Sequence, residues 1–137
     1  MGGASDEVID AMYDYGRLIG LAFQIQDDYL DLASDEETLG KPIGSDIGKG
    51  KMTVIAIKGL ASDDSGRLLE ILKDDENSPE DIGEAIGILT DCGAIEYARN
   101  LALESVNQAK ELLEILDDSS FKHTLVKIAD FVLERSA

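Results

Sequence analysis

The 137 residues carry 29 acidic against 12 basic side chains, a formal net charge of -17, with 44% hydrophobic and 30% charged residues. That balance describes a single soluble domain with one modest core, and a field of that sign repels nucleic acid and anionic membranes. No apolar run reaches the length of a membrane span, the start Met-Gly-Gly-Ala-Ser-Asp-Glu lacks a secretory signal, and the lone Cys92 cannot close an internal disulfide, so the expected setting is a reducing cytoplasm. The acidity also reads simply as solubility. If the substrate is an anion, however, metal cations or well-placed lysines must hold it.

In chain order, Ser5 caps a first helix with Asp6 and Glu7 in its positive first turn, and the apolar pattern runs to about Leu32. A loop follows from Ser34 to about Lys51, with Gly40, Pro42, Gly44, Gly48 and Gly50. Short helices are predicted over roughly Met52 to Leu60 and Asp64 to Lys73. Ser78-Pro79-Glu80-Asp81 is a helix start: serine as cap, proline in the first turn, an acid three residues after the cap. That helix runs to about Asp91, and Gly93 fits its stop. A long helix is expected over about Ala94 to Leu116, with Leu101, Ser105, Ala109 and Leu112 on one face. Ser119 or Ser120 opens a last one, with Leu125, Ile128, Ala129 and Val132 at helical spacing. No strand alternation and no repeat is visible, so the fold class is all-α, an antiparallel helical array.

The first helix is the informative one. Leu18, Ala22, Ile25, Tyr29 and Leu32 form one apolar stripe, widened by Ile19, Phe23 and Leu30 on one side and Leu21 on the other. Gly20, Gln24, Asp27 and Asp31 line the opposite face, Asp28 lies beside them, and Gln26 lies apart. A helix apolar over most of its circumference should be buried on most sides. Three aspartates in little more than one turn of such a helix repel each other, and burial penalises their charge. They become tolerable in a polar cleft where they share a divalent cation; Asp27 and Asp31, four apart, point the same way. Mg²⁺ accepts carboxylate oxygens together with phosphate oxygens and water. The same cluster also reads as a solvated helix face. It is not an EF-hand loop, because the sixth position from Asp27 is Leu32 and the twelfth is Thr38. A carboxylate pair for glycoside hydrolysis finds no other support in the sequence.

The loop after it brings the opposite charge: Gly40-Lys41, Asp46, Lys49 and Gly50-Lys51. It is not a P-loop, since Ser45 and Met52 stand where that motif needs Gly and Ser or Thr. A lysine-bearing loop just past a carboxylate cluster suits a diphosphate, the lysines facing the phosphates directly and the carboxylates through metal. Taken alone, it also reads as a plain connector.

Together these residues carry a resemblance. Gly20-Leu-Ala-Phe23-Gln24-Ile25-Gln26-Asp27-Asp28-Tyr29-Leu30-Asp31 is similar to the second aspartate-rich motif of trans-prenyl diphosphate synthases such as farnesyl and geranylgeranyl diphosphate synthase. Gly40-Lys41-Pro42, Gly44-Ser45-Asp46 and Gly50-Lys51-Met52-Thr53 resemble the loop that follows it. Gly2-Gly3-Ala4-Ser5 looks like the lead-in, and Gly93-Ala94-Ile95 with the two last helices looks like the C-terminal region, so the likeness covers nearly the whole chain, 1–137. The resemblance implies the C-terminal part of the isoprenoid synthase fold and the condensation of an allylic diphosphate with isopentenyl diphosphate, with Mg²⁺ as cofactor. It implies Asp27 as the direct magnesium ligand, with Asp28 and Asp31 assisting through water or hydrogen bonds. Lys41 would contact the allylic diphosphate, and Gln24 would lie near the reacting carbons. Phe23 would pack by the isopentenyl group, although a core role fits it equally. Asp46 would stand further out, and Lys51 would face the diphosphate. His123 matches no catalytic position.

Two departures accompany it. Many members carry a proline where this chain has Ile55, which should alter the helix start little. The family's first aspartate-rich motif, arginine pair, isopentenyl-binding basic residues and lysine-threonine element all lie upstream and are not among these residues. The expectation is therefore a piece of a longer synthase whose N-terminal half is missing, with Met1 an internal methionine, from a parent that is usually a homodimer. The alternative is a non-catalytic helical partner subunit of a complete synthase; the intact DDxxD sequence weighs against it. The Phe-Gln-Ile-Gln lead-in and the Gly-Lys loop weigh against a terpene cyclase or squalene-type synthase.

Overall fold

The computed structural model describes residues 6–33 and 44–134. Ser5, the Gly2–Ser5 lead-in, Gly40, Lys41 and Pro42 lie outside them. The described residues form helices α1 (Asp6–Ala33), α2 (Ser45–Gly48), α3 (Val54–Ser62), α4 (Arg67–Lys73), α5 (Pro79–Asp91), α6 (Ala94–Leu112) and α7 (Ser120–Glu134), with a 3₁₀ turn at Leu113–Ile115 and no strand. The all-α class is met. The expected helices at Met52–Leu60 and Asp64–Lys73 form over Val54–Ser62 and Arg67–Lys73, and two further differences are larger. The glycine-rich loop holds the short α2, and the long sixth helix tightens into the 3₁₀ turn before Leu116.

The chain forms two compact units. One comprises the described residues of Met1–Gln26 and Leu101–Arg135. Its buried side chains include Ala11, Tyr15, Leu18, Ala22, Ile25 and the polar Gln26 of α1, Ala102, Ser105, Val106 and Ala109 of α6, Leu113, and Ala129 and Val132 of α7. Many of these are small, which allows helix backbones a close approach. The Tyr15 hydroxyl donates to the Leu125 carbonyl oxygen at 2.6 Å, and burial pushes its pKa up. Lys110 pairs with Asp130, joining α6 to α7. Ser119 caps α7 by accepting the Lys122 amide at 3.2 Å. On this unit Ile9, Tyr13, Leu21, Phe23, Phe121, Ile128 and Phe131 stay exposed. The expectation that α1 is buried on most sides is therefore not met within these residues: its apolar circumference is wider than the surface that covers it here. His123, exposed in the first turn of α7, lies against Asp118 at 2.7 Å.

The second unit is Asp27–Asn100. Ile47, Ile55, Ala56, Leu68, Ile71, Leu72, Ala85 and Leu89 form its core, and α2, α3 and α4 all contact α5. Thr53 caps α3 by accepting the Ala56 amide at 3.0 Å, so the helix begins at Val54 and Ile55 serves the core. Asp63 accepts the Leu68 amide at 3.0 Å and the Ser65 hydroxyl at 2.7 Å, which hold its carboxyl below the usual carboxylate range and anchor the start of α4. Arg67 then crosses to α5, donating to Glu84 at 2.7 Å and Asp81 at 3.1 Å. The capping box at α5 forms as its sequence requires: the Ser78 hydroxyl accepts the Asp81 amide at 3.1 Å, and the Asp81 carboxylate accepts the Ser78 amide at 3.4 Å.

At Gly59 of α3 an added methyl would overlap the side chains of Leu89 and Leu68. We expect Gly59→Ala to cost about 1–3 kcal/mol of stability in urea denaturation, from overpacking alone. Combined with Leu89→Ala, which vacates the space, it should cost less than the sum of the two single changes; additive losses would show that this contact does not set the packing.

Candidate functional site

The aspartate cluster occupies the last turns of α1, and the three carboxylates meet different surroundings. Asp31 is 1% exposed and Asp28 4%, whereas Asp27 is open to solvent. On α1 the polar stripe read from the sequence is open at Gly20, Gln24 and Asp27 and closed at Asp31. Phe23, 45% exposed, is a surface residue here rather than a core one.

Asp31 is closed because the chain returns to it. The Gly44 amide donates to its backbone carbonyl at 2.8 Å, the Ser45 hydroxyl to Oδ1 at 2.8 Å and the Asp46 amide to Oδ2 at 3.1 Å. A carboxylate accepting donors from the first turn of α2 meets the charge-assisted hydrogen bonds that a buried anion needs. Gly44 enters at φ 76°, where a side chain is strained and a Cβ would lie 2.5 Å from Ile82 Cγ2. Gly50, at φ 66°, passes so close to Leu72 that a Cβ would lie 2.7 Å from its carbonyl oxygen. Between these glycines α2 makes one turn, and the Lys51 amide closes it by donating to the Asp46 carbonyl oxygen at 2.9 Å.

That turn sends Lys51 back over the motif. Its Nζ lies 3.5 Å from Asp28 Oδ1 and 3.9 Å from Asp46 Oδ2, and the lysine side chain is itself half exposed. The ammonium thus faces one buried and one half-buried carboxylate while keeping contact with solvent. Further into the unit Arg99 stacks on the Tyr29 ring, 4.8 Å from its centroid.

A family model for polyprenyl synthetases matches residues 1–89. The chain belongs to the polyprenyl synthetase family. It is 53% identical, over 98% of its length, to the short chain isoprenyl diphosphate synthase of Methanothermobacter thermautotrophicus, and 43% identical over 98% to the geranylgeranyl diphosphate synthase of Methanosarcina mazei. Those matches cover 42% and 41% of the two relatives. Among solved structures, the geranylgeranyl pyrophosphate synthetase of Pyrococcus horikoshii matches with a TM-score of 0.90 and 41% identity, over 98% of this chain and 41% of that one. The geranylgeranyl pyrophosphate synthase of Corynebacterium glutamicum, solved with isoprenyl diphosphate and magnesium, matches with a TM-score of 0.85 and 30% identity, over 97% of this chain and 39% of that one. The chain therefore spans about two-fifths of the length of its polyprenyl synthetase relatives and corresponds to their C-terminal part.

Of the residues singled out from the sequence, Asp28, Asp31, Asp46 and Lys51 come together in the second unit, joined by the contacts above. Asp27 stands at their open edge, Phe23 and Gln24 are exposed on α1, and Lys41 lies outside the described residues. Gly44 and Ser45, which carry no site role in the sequence reading, prove to be the loop's anchors; the contact that makes them so reaches Asp31, fourteen residues before Ser45, and leaves no local signal. Among the described residues no three His, Cys, Asp or Glu side chains gather to enclose a metal by themselves. Magnesium does not require such a cage, because it keeps several waters and takes one or two carboxylates alongside phosphate oxygens. The exposed Asp27 carboxylate fits that donor set.

Burial separates the two neighbouring aspartates. Asp28→Asn keeps the shape but removes the charge that faces Lys51, and should cost about 1–3 kcal/mol in urea denaturation. Asp27→Asn, on the solvent side, should cost less; the reverse order would contradict the placement.

Proposed function

We propose that this chain is the magnesium- and diphosphate-holding C-terminal part of a prenyltransferase that joins an allylic diphosphate to isopentenyl diphosphate. The observation that carries the reading is the arrangement around Asp27: one open carboxylate beside a loop that returns a lysine ammonium to the same end of the helix. A relative solved with magnesium and isoprenyl diphosphate supports it.

In this reading Asp27 would hold the magnesium, with Asp28 and Asp31 beside it on the buried side, and the bound ion would supply positive charge against the diphosphate oxygens. The ammonium of Lys51, already half exposed, turns from Asp28 toward a phosphate oxygen, and Lys41 provides a second cation for the allylic diphosphate. Both lower the energy of the departing diphosphate by meeting the charge that grows on it. The carbon–oxygen bond breaks, the alkene of isopentenyl diphosphate attacks the allylic cation, and a proton is lost. The amide oxygen of Gln24, on the Asp27 side of α1, favours positive charge on the reacting carbons, and Phe23 packs by the isopentenyl group. Asp46 acts one layer further out by sharing Lys51. The exposed apolar residues of α1, Ile9, Tyr13, Leu21 and Phe23, fit a helix that completes its packing against the rest of a longer protein.

The 137-residue chain alone should form no prenyl product from labelled isopentenyl diphosphate, allylic diphosphates and magnesium. Joined to the remaining N-terminal part of the Methanothermobacter relative, it should form product. In that chimera Asp27→Asn should lower turnover on the order of 100-fold, more than Asp28→Asn does. Lys41→Ala should raise the allylic KM or lower turnover by about tenfold or more, with a smaller effect on isopentenyl diphosphate. A folded chimera without activity, or with activity indifferent to Asp27, would overturn the assignment.

A further inference from the structure

The third aspartate of the motif is placed unlike the first. Asp31 is buried, and both of its carboxylate oxygens are engaged by the returning loop, Oδ1 by the Ser45 hydroxyl at 2.8 Å and Oδ2 by the Asp46 amide at 3.1 Å. The Asp46 carbonyl oxygen in turn accepts the Lys51 amide at 2.9 Å, and Lys51 Nζ stands 3.5 Å from Asp28 and 3.9 Å from Asp46. A continuous chain of contacts thus runs from Asp31 through Ser45 and Asp46 to the lysine ammonium. We propose that Asp31 and Ser45 are positioning residues: their hydrogen bond fixes the root of α2 and thereby the place from which Lys51 serves an anionic ligand. The proposal rests on the diphosphate reading for what Lys51 does, but not for the clamp itself.

Chemistry favours this division. A carboxylate that accepts an O–H and an N–H from the first turn of a helix is held in one rotamer. Moving it onto a cation would leave two donors without their acceptor. Asp27, by contrast, is exposed to solvent at the same end of α1.

The test uses the 137-residue chain as wild type, Asp31→Asn, Ser45→Ala and Ser45→Thr. Two quantities are read: backbone amide exchange at Asp46 and Lys51, and affinity for inorganic pyrophosphate with Mg²⁺ by calorimetry. Ser45→Ala and Asp31→Asn should speed exchange at both amides by about tenfold and leave the Ile57 amide inside α3 unchanged, while Ser45→Thr, which keeps the hydroxyl, should exchange as wild type does. Pyrophosphate affinity should fall by about tenfold in Ser45→Ala, and Ser45→Ala with Lys51→Ala should be no weaker than Lys51→Ala alone, because Ser45 acts through the lysine. Unchanged exchange at Asp46 and Lys51 overturns the proposal, as does a Ser45 loss that adds fully to the Lys51 loss. If Asp31→Asn does not fold, the Ser45 pair decides. If no form binds pyrophosphate, the diphosphate reading fails for this chain, and the exchange data still decide the clamp.

Discussion

A buried carboxylate at the end of a long helix is the constraint on which this site rests. Asp31 is all but sealed from water, and an anion so placed is costly unless donors surround it. The returning chain supplies them from Ser45 and Asp46, while Gly44 ties its own amide to the Asp31 backbone. Everything that follows in the loop inherits its position from that junction: the single turn of α2, the reversal at Gly50, and the reach of Lys51 back to Asp28. The loop's two positive-φ glycines, Gly44 and Gly50, matter because of it. Gly44 must pass Ile82 and Gly50 must pass the Leu72 carbonyl for the chain to return at all.

The consequence is a division of labour within one motif. Asp31 serves the loop, Asp28 balances the lysine, and Asp27 faces outward. In a chain of net charge -17 this matters for the proposed diphosphate, because the overall field opposes an anion. The cations that would receive it have to be aimed. Lys51 is aimed by backbone geometry rather than by its own flexible side chain, and its carboxylate partners hold it at the motif before any ligand arrives. Such a lysine loses less side-chain freedom on binding than one waving in solvent.

Much of this is legible in the sequence alone. The helix at Pro79 is readable because its cap, its proline and its returning acid are local, and the structure shows all three in place. The family, too, is readable from the order of the aspartate helix and the Gly-Lys loop. Less legible is whatever depends on contacts distant in sequence. The loop looks irregular because α2 is only a four-residue helix held by Asp31, fourteen residues before Ser45. The helical wheel sets Asp27 and Asp31 together on one face and cannot show that Ser45 closes over one and not the other. It also wraps α1 in apolar residues without showing that Leu21 and Phe23 remain exposed. Periodicity reports which face is apolar; what covers that face is a tertiary fact.

The proposed division between Asp27, which would meet the cation, and Asp31, which holds the loop, is open to one direct measurement: a high-resolution crystal structure of the protein with Mg²⁺ and pyrophosphate. The expected result is an Asp27 carboxylate oxygen about 2.1 Å from the metal, with Asp31 still accepting the Ser45 hydroxyl and the Asp46 amide. An Asp31 carboxylate rotated onto the metal, with Ser45 released, would contradict it.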